Sequence, residues 1–352
     1  MTPPNTPHAG TSPFASLQAM HPGNFALVMA SGILSLGFRT LGMATLADVM
    51  AAVALGAWGL LLALSFLRLV LYPAAVRIDL LNPRMVFAYF TLVAATSIVG
   101  LVVHQDGFPT LAIVCWALAF TAWCLLLYLA FSVLTFLTHE NNVNIVHGGW
   151  LIAIVGTQSL VLLGARIAPN LGPYAVYMMV EVYMLWGLGL AFYGIFVTLF
   201  CYRIFFLALR AQDIGPLLWV VMGAAAISAN AGTTLITQDP GLPFLAAQRP
   251  FIDGITLMLF AWATWWIPML FIFGVWKHVV NRLPLAYEPV MWSAVFPLGM
   301  YAVASARLGL AAEFAPLQWI SRGMVWLALA AWLLVAAGFV QRWWRARHQA
   351  AG

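Results

Sequence analysis

The placement of basic residues between long apolar runs constrains this chain more than any other feature. Of its 15 Lys and Arg residues, ten lie at every second gap between apolar runs or after the last run. Only 7% of the residues are charged, whereas about 25% are charged in a typical soluble domain. The mean hydropathy is +0.96. Because a soluble core cannot bury so much apolar surface, we expect a many-pass membrane protein.

The apolar runs give the number and position of the predicted spans. A bilayer core is about 30 Å thick and requires about 20 apolar residues per helix. On this basis we predict an all-α integral membrane protein with ten transmembrane helices. The predicted spans are 24–43, 47–71, 84–104, 109–137, 149–168, 174–205, 216–236, 250–277, 287–307 and 317–341.

The same basic residues set the predicted orientation, because Lys and Arg concentrate in cytoplasmic loops. The basic gaps and the basic C-terminal end place both termini in the cytoplasm of a protein of the cell, or inner, membrane. We therefore predict a cytoplasmic tail at 1–23, a transmembrane domain at 24–341 and a basic cytoplasmic tail at 342–352. The net charge of +5 forms no patch that would indicate nucleic acid.

A repeat of two-helix units organises the chain. The odd-numbered spans begin near 24, 84, 150, 217 and 289, which are 60 to 72 residues apart. They are rich in small and hydroxyl residues, whereas the even-numbered spans are bulky. We interpret the chain as five helical hairpins whose odd helices surround a central pore. The alternative is tight packing without a pore, since small residues also mark helix contacts in lipid.

Several residues mark the starts of the odd spans. Proline near a helix start leaves no hydrogen bond unmade, and it precedes or opens spans one, three, seven and nine. Trp150, Trp219 and Trp292 stand at the starts of spans five, seven and nine, where we expect indole rings at the membrane interface. Pro297 lies inside span nine and predicts a kink there.

Two segments carry a family resemblance. The residues PGNF (22–25) with VMASGI (28–33), and WSAVFPLG (292–299), resemble the first and ninth helices of the tellurite-resistance/dicarboxylate transporter family. That family includes bacterial tellurite-resistance proteins, fungal malate permeases, fungal sulfite efflux pumps and plant slow anion channels. The resemblance extends over about 21–341. It implies five inner helices around a pore, in a protomer that commonly assembles as a homotrimer.

The resemblance also implies a gate and a class of substrate. Phe296, directly before Pro297, matches the phenylalanine that plugs the pore in this family. Substrates across the family are small anions, including malate and other C4 dicarboxylates, sulfite, chloride and nitrate. The chain departs from the family pattern Met-Gly-Thr-Gly, because it reads Met-Ala-Ser-Gly at 29–32. The extra methyl group of Ala30 changes the expected width of the pore at that point.

An anion that enters a membrane pore requires polar groups in place of its hydration shell. We predict that small and polar residues of the odd spans line the pore. These candidates are Ser31, Gly32, Ser35, Thr96, Ser97, Thr157, Gln158, Ser159, Ser228, Asn230, Ser293 and Gly299. The alternative role for each polar side chain is a hydrogen bond between helices.

Four charged residues complete the predicted site. Arg39, Arg166 and Arg307 each follow the small-residue stretch of an odd span and are predicted to concentrate anions at a pore mouth. Their alternative role is to reach the lipid headgroups. Glu181 lies inside span six, where an acid suggests proton coupling. Its alternative role is structural, for example in an ion pair with Arg166.

Other function classes find little support in the sequence. It has no HExxH, Gly-x-Ser-x-Gly or P-loop motif, so we predict no enzyme activity, no cofactor and no metal site. We interpret His139, Glu140 and His147 as polar loop residues. The predicted function is membrane transport of small anions, with malate-like C4 dicarboxylates as the first choice. The alternatives are efflux of sulfite or a tellurium oxyanion and, in another class, a non-conducting membrane scaffold.

Overall fold

The computed structural model describes residues 17–137, 147–284 and 287–350 of the chain, with side chains up to residue 345. Within these residues all regular structure is helical, which confirms the predicted all-α class. The ten long helices are Ala26–Thr40 (α1), Ala44–Leu71 (α2), Phe90–Gln105 (α3), Pro109–Ser132 (α4), Ile152–Ile167 (α5), Ala175–Phe206 (α6), Val220–Thr237 (α7), Arg249–Val275 (α8), Trp292–Ala311 (α9) and Ala315–Ala350 (α10).

A short 3₁₀ turn introduces every odd-numbered helix. In two of these turns a histidine caps the backbone, since Nδ1 of His21 accepts a hydrogen bond from the Gly23 N–H (2.9 Å) and Nδ1 of His147 accepts one from the Gly149 N–H (3.0 Å). Proline opens the turns at Pro22, Pro216 and Pro289, as predicted for spans one, seven and nine. The five turns are Pro22–Phe25, Val86–Tyr89, Gly148–Leu151, Pro216–Trp219 and Pro289–Met291.

Connections at the opposite end join each odd helix to the next even helix. Every connection contains a residue with positive φ, a conformation that glycine adopts without a steric penalty. The two helices of each pair also pack against each other, so the five predicted hairpins are observed. The positive-φ residues are Gly42 (73°), Gly107 (90°), Gly172 (56°), Gly241 (70°) and Glu313 (51°).

The hairpins form two concentric layers. Helices α1, α3, α5, α7 and α9 each contact the next one, and α9 contacts α1, which closes a ring of five inner helices. The even helices lie outside this ring. Burial separates the two layers. In three inner segments, 78–89% of the residues in an apolar 18-residue window are buried (86–105, 216–237 and 289–311). In three outer segments the buried share is only 11–28% (44–71, 109–137 and 315–345). The bulky helices thus present their apolar side chains to the surroundings, as lipid-facing helices do.

Eight segments of the described chain are long and apolar enough to cross a membrane. One of them, Gly148–Phe206, contains both α5 and α6. The 15-residue helix α1 is shorter than the roughly 20 residues that span a bilayer core. Multi-pass insertion is supported, and ten crossings remain a prediction. Helix α10 also continues to Ala350, nine residues past the predicted end at 341.

Candidate functional site

The predicted pore-lining residues all lie on the five inner helices, and all are buried. Among the polar candidates Ser293 has the largest exposed fraction, which is 7% of its surface. A hydrated anion therefore cannot reach them in this conformation, and the ring is closed. The direction in which each side chain points differs from one residue to the next.

Tryptophans of the outer helices bind three of the predicted hydroxyl groups. The indole Nε1 donates from Trp332 to Ser31 (2.9 Å), from Trp58 to Thr96 (3.1 Å) and from Trp123 to Thr157 (2.7 Å). In each case the outer helix is the one that precedes the inner helix around the ring. These three hydroxyl groups therefore face outward and cross-brace the two layers. We call these three bonds the tryptophan braces.

A fourth outer-to-inner bond uses the backbone. The indole of Trp186 on α6 donates to the carbonyl oxygen of Ser228 on α7 (3.1 Å). The amide of Gln158 on α5 lies against α6, where its Nε2 donates to the Trp186 carbonyl (3.3 Å). Gln158 therefore also faces an outer helix.

Other hydroxyl groups in the ring bind their own helix. Ser97, Ser159 and Ser228 donate to carbonyl oxygens three or four residues earlier, at 2.7 to 2.9 Å, as serine commonly does inside helices. Ser35 differs, because its buried Oγ has no hydrogen-bond partner within the described chain. Asn230 also retains hydrogen-bonding capacity, since its Nδ2 donates to the weak acceptor Sδ of Met300 (3.4 Å).

Glycines of the inner helices accommodate large side chains from neighbouring inner helices. A Cβ atom added at Gly32 would lie 2.5 Å from Ile98, one at Gly100 would lie 2.4 Å from Leu163, and one at Gly299 would lie 2.7 Å from Ile33. Because real Cβ atoms do not approach so closely, a larger residue at these positions would force the neighbouring side chain to shift. The small residues thus allow close packing around the ring, and Gly32 and Gly299 lie at helix contacts.

Phe296 is buried on α9, with 3% of its surface exposed. Pro297 follows it inside the helix. A Cβ atom at Gly223 of α7 would lie 2.8 Å from Cγ of Pro297, so the absent side chain of Gly223 makes room for the proline ring. The phenylalanine therefore precedes a residue at which α9 packs closely against α7.

Arg39 is neutralised by two carboxylates. Its guanidinium Nη2 contacts Oδ1 of Asp48 at 2.9 Å and also pairs with Asp106. These acids lie near the start of α2 and directly after α3. Arg39 therefore ties three helices together at the end of the ring opposite the 3₁₀ turns.

Arg166 and Arg307 differ from Arg39, because no carboxylate pairs with either of them within the described residues. They lie on α5 and α9, and both are partly exposed. They are close enough for electrostatic repulsion. Nη1 of Arg307 lies 3.4 Å from Oδ1 of Asn230 and 3.5 Å from Oγ1 of Thr234. At these distances the bonds are weak, so both guanidinium groups retain unused charge and donors.

Glu181 is half-buried on α6. It lies near enough to Cys124 of α4 to interact electrostatically. No ion pair joins it to Arg166 in the described part of the chain, so the structure does not contain the pairing considered from the sequence. His139 and Glu140 lie outside the described residues, and no cluster of three or more metal-ligating side chains occurs among the described ones.

Two sets of residues were missed in the sequence. The first set contains the tryptophans of α2, α4 and α10, whose indole N–H groups donate the hydrogen bonds of the tryptophan braces. The sequence signal for them was an aromatic residue with a hydrogen-bond donor in the middle of an apolar span. The capping role of two histidines was also missed: His147 was interpreted as a loop residue and His21 was given no role, although each precedes a glycine-containing turn that opens an inner helix.

Comparison with known proteins agrees with this architecture. The family model described as voltage-dependent anion channel matches residues 19–340. An uncharacterised membrane protein of Mycobacterium tuberculosis is 40% identical over 132 residues, which are 38% of this chain and 66% of that protein. An uncharacterised transporter of Methanocaldococcus jannaschii is 25% identical over 200 residues, 56% of each chain. The chain thus spans somewhat less than two thirds of the length of these curated relatives.

The family match extends over nearly the whole length of the two-layered bundle, from the first 3₁₀ turn to the end of the last predicted span. It includes both segments that carried the resemblance. The chain therefore belongs to the voltage-dependent anion channel family, within the tellurite-resistance/dicarboxylate transporters.

Proposed function

We propose that this protein is a permease for small anions, which cross the membrane through the centre of the ring of five inner helices. The observation that carries the proposal is the pair Arg166 and Arg307. Neither arginine forms an ion pair with a carboxylate among the described residues. Uncompensated cations at the end of a helical ring raise the local concentration of anions. Family membership supports the same function.

The arrangement of this pair favours anions with two charges. Two guanidinium groups that repel each other are stabilised by an anion between them, and a dianion offsets both charges. Asn230 lies beside Arg307, which contacts its Oδ1, and the Nδ2 of the same amide donates to the weak acceptor Sδ of Met300. We therefore propose C4 dicarboxylates such as malate as substrates, with sulfite and tellurium oxyanions as the competing candidates.

Phe296 is the proposed gate. It is buried beside the proline of α9 in a ring that is closed to water, so a rotation of its ring or a shift of α9 would open the path. Within that path, the polar contacts we propose first are Ser35, whose Oγ has no partner among the described residues, and Asn230, whose Nδ2 donates to the weak acceptor Sδ of Met300. Ser293 is a further candidate because of its position on α9. We propose that transport follows the electrochemical gradient of the anion, with Glu181 in a structural role.

The assembly and orientation belong to the same proposal. Both termini lie in the cytoplasm of the cell membrane, and the protein assembles as a homotrimer with one path per protomer. The exposed apolar faces of the outer helices provide surface for contact with lipid and with neighbouring protomers.

The test is anion flux into proteoliposomes, with malate, sulfite, nitrate and chloride in competition. We expect flux in the wild type, and we expect Arg166→Gln and Arg307→Gln to lower it more at low salt than at high salt, because screening acts over roughly 10 Å at 0.1 M. Arg166→Lys and Arg307→Lys are the matched controls, since they keep the positive charge, and they should change flux little. A wild type that passes no anion would favour the scaffold alternative. Losses in the Gln variants that are the same at low and high salt, or equal losses in the Gln and Lys variants, would refute the role of charge at the arginine pair.

A further inference from the structure

An apolar crevice of about 720 Å³ opens between α2 and α10. It lies at the end of the molecule where α1 and α9 begin, and its inner wall contains Trp292, the first residue of α9. Its volume falls within the ~300–1,000 Å³ typical of sites for small organic ligands. Nothing in the proposed anion path requires this space.

The walls of the crevice are mostly apolar side chains. On α2, the side chains of Leu60, Leu64 and Leu67 line it, and their spacing places them on one face of the helix. Leu60 exposes 61% of its surface and Phe339, on the α10 side, exposes 51%. Because both are large apolar side chains on outer helices, the crevice opens sideways toward the bilayer.

The rim of the crevice carries positive charge without negative charge. Arg342 of α10 lines it, together with the polar side chains of His21 and Asn24, and no Asp or Glu is among the residues that line it. Nη1 of Arg342 donates to the Tyr287 carbonyl at 3.3 Å, which leaves the other guanidinium donors available. An apolar slot with a cationic rim complements a lipid with an anionic headgroup.

We propose that this crevice binds one anionic phospholipid, with an acyl chain along the leucines of α2 and the phosphate at Arg342. Residues 1–16 are a poor alternative occupant, because they contain no Leu, Ile or Val and only one aromatic residue. A second copy of the chain would need a protruding side chain to fill a narrow slot. The lipid needs only a flexible chain.

The experiment measures lipid retention on the full-length protein by native mass spectrometry, after exchange into equal amounts of phosphatidylglycerol and phosphatidylcholine. The wild type should retain phosphatidylglycerol in preference to phosphatidylcholine. Arg342→Gln should reduce that preference about fivefold, the factor that corresponds to about 1 kcal/mol for one basic residue at an anionic surface. Arg345→Gln is the matched control on the same helix end, because Arg345 does not line the crevice.

A second variant separates lipid binding from folding and assembly. Leu64→Trp fills the slot and should abolish retention of the bound lipid, while the melting temperature in lipid-free detergent and the oligomer mass stay as in the wild type. Equal retention of both lipids by the wild type, or the same loss in Arg345→Gln as in Arg342→Gln, would overturn the proposal. So would dissociation of the oligomer by Leu64→Trp without loss of lipid, which would assign the crevice to a contact between protomers.

Discussion

His147 makes the stability of the inner ring depend on pH. Its Nδ1 accepts a hydrogen bond from the Gly149 N–H in the turn that opens α5, and a protonated Nδ1 cannot accept. Burial lowers the pKa of His147 from 6.5 to about 4. A hydrogen bond with the Arg84 backbone opposes this shift, and the positive charges of Arg203 and Arg84 add to it. The folded state therefore holds this imidazole neutral over a pH range in which the unfolded chain protonates it.

The magnitude follows from the two pKa values. Because the folded pKa is the lower one, the unfolded state binds more protons as pH falls below 6.5, and stability decreases. At about 1.4 kcal/mol per pKa unit, the total loss below pH 4 is about 3 kcal/mol, and about 2 kcal/mol of it is already lost at pH 5. His21 caps the turn before α1 in the same way, and burial also lowers its pKa, so it adds to the effect.

The assay is thermal unfolding of the purified protein in detergent from pH 7.5 to pH 4.5, at a fixed scan rate because membrane proteins commonly unfold irreversibly. Asparagine is a good helix-capping residue and does not titrate, so His147→Asn should keep the cap and flatten the pH dependence. The double variant with His21→Asn should flatten it further. If His147→Asn loses as much stability on acidification as the wild type, the buried neutral histidine is not the cause.

Three further predictions concern the closed ring. Phe296→Ala should raise anion flux in proteoliposomes, because truncation opens the volume that the phenyl ring occupied. Val295→Ala changes the buried neighbour on the same helix and should not raise the flux. Unchanged flux in a folded Phe296→Ala protein would show that Phe296 is not the gate. Gly223→Ala should lower the stability by about 1–3 kcal/mol, because its Cβ atom would meet the proline ring of α9 and overpacking of a core has that cost. Gly187→Ala is the control and should not lower the stability, because its Cβ atom would meet open space. Equal melting temperatures of the two variants would contradict this prediction. Trp123→Phe should lower the stability by about 0.5–1.5 kcal/mol, because it removes the hydrogen bond to Thr157 of α5. A double-mutant cycle with Thr157→Val measures the coupling energy between the two residues. A coupling energy of zero would show that this tryptophan brace does not form in the purified protein.

Much of the architecture was predictable because it depends on composition along the chain. The hairpin period, the start signals and the contrast between small and bulky helices are local properties of the sequence, and they place the five inner helices correctly. Trp150 and Trp292, which we expected to meet the membrane interface, are buried at 5% and 4% exposure, because they pack into the bundle. Their depth in the membrane stays a prediction.

The direction of each polar side chain was not predictable. Ser31 and its partner Trp332 are 301 residues apart in the chain, and helical periodicity does not tell which neighbour a hydroxyl group will meet. The three arginines follow equivalent positions in their hairpins, yet Arg39 alone meets two carboxylates. Those acids come from the adjoining helices α2 and α3, so only the three-dimensional arrangement distinguishes Arg39 from Arg166 and Arg307.

The fivefold repeat itself helps to separate structure from function. The 3₁₀ starts, the glycine contacts and the tryptophan braces recur around the ring, and what recurs at several equivalent positions is best explained by the need to build the ring. Features found at one or two positions break this equivalence, such as the proline inside α9 and the arginines of α5 and α9, which pair with no carboxylate among the described residues. Helix α7 lies between α5 and α9 in the ring, and its Asn230 and Thr234 face Arg307. We therefore expect an entering anion to contact α7 first, before it reaches the phenylalanine on α9 at the centre of the ring.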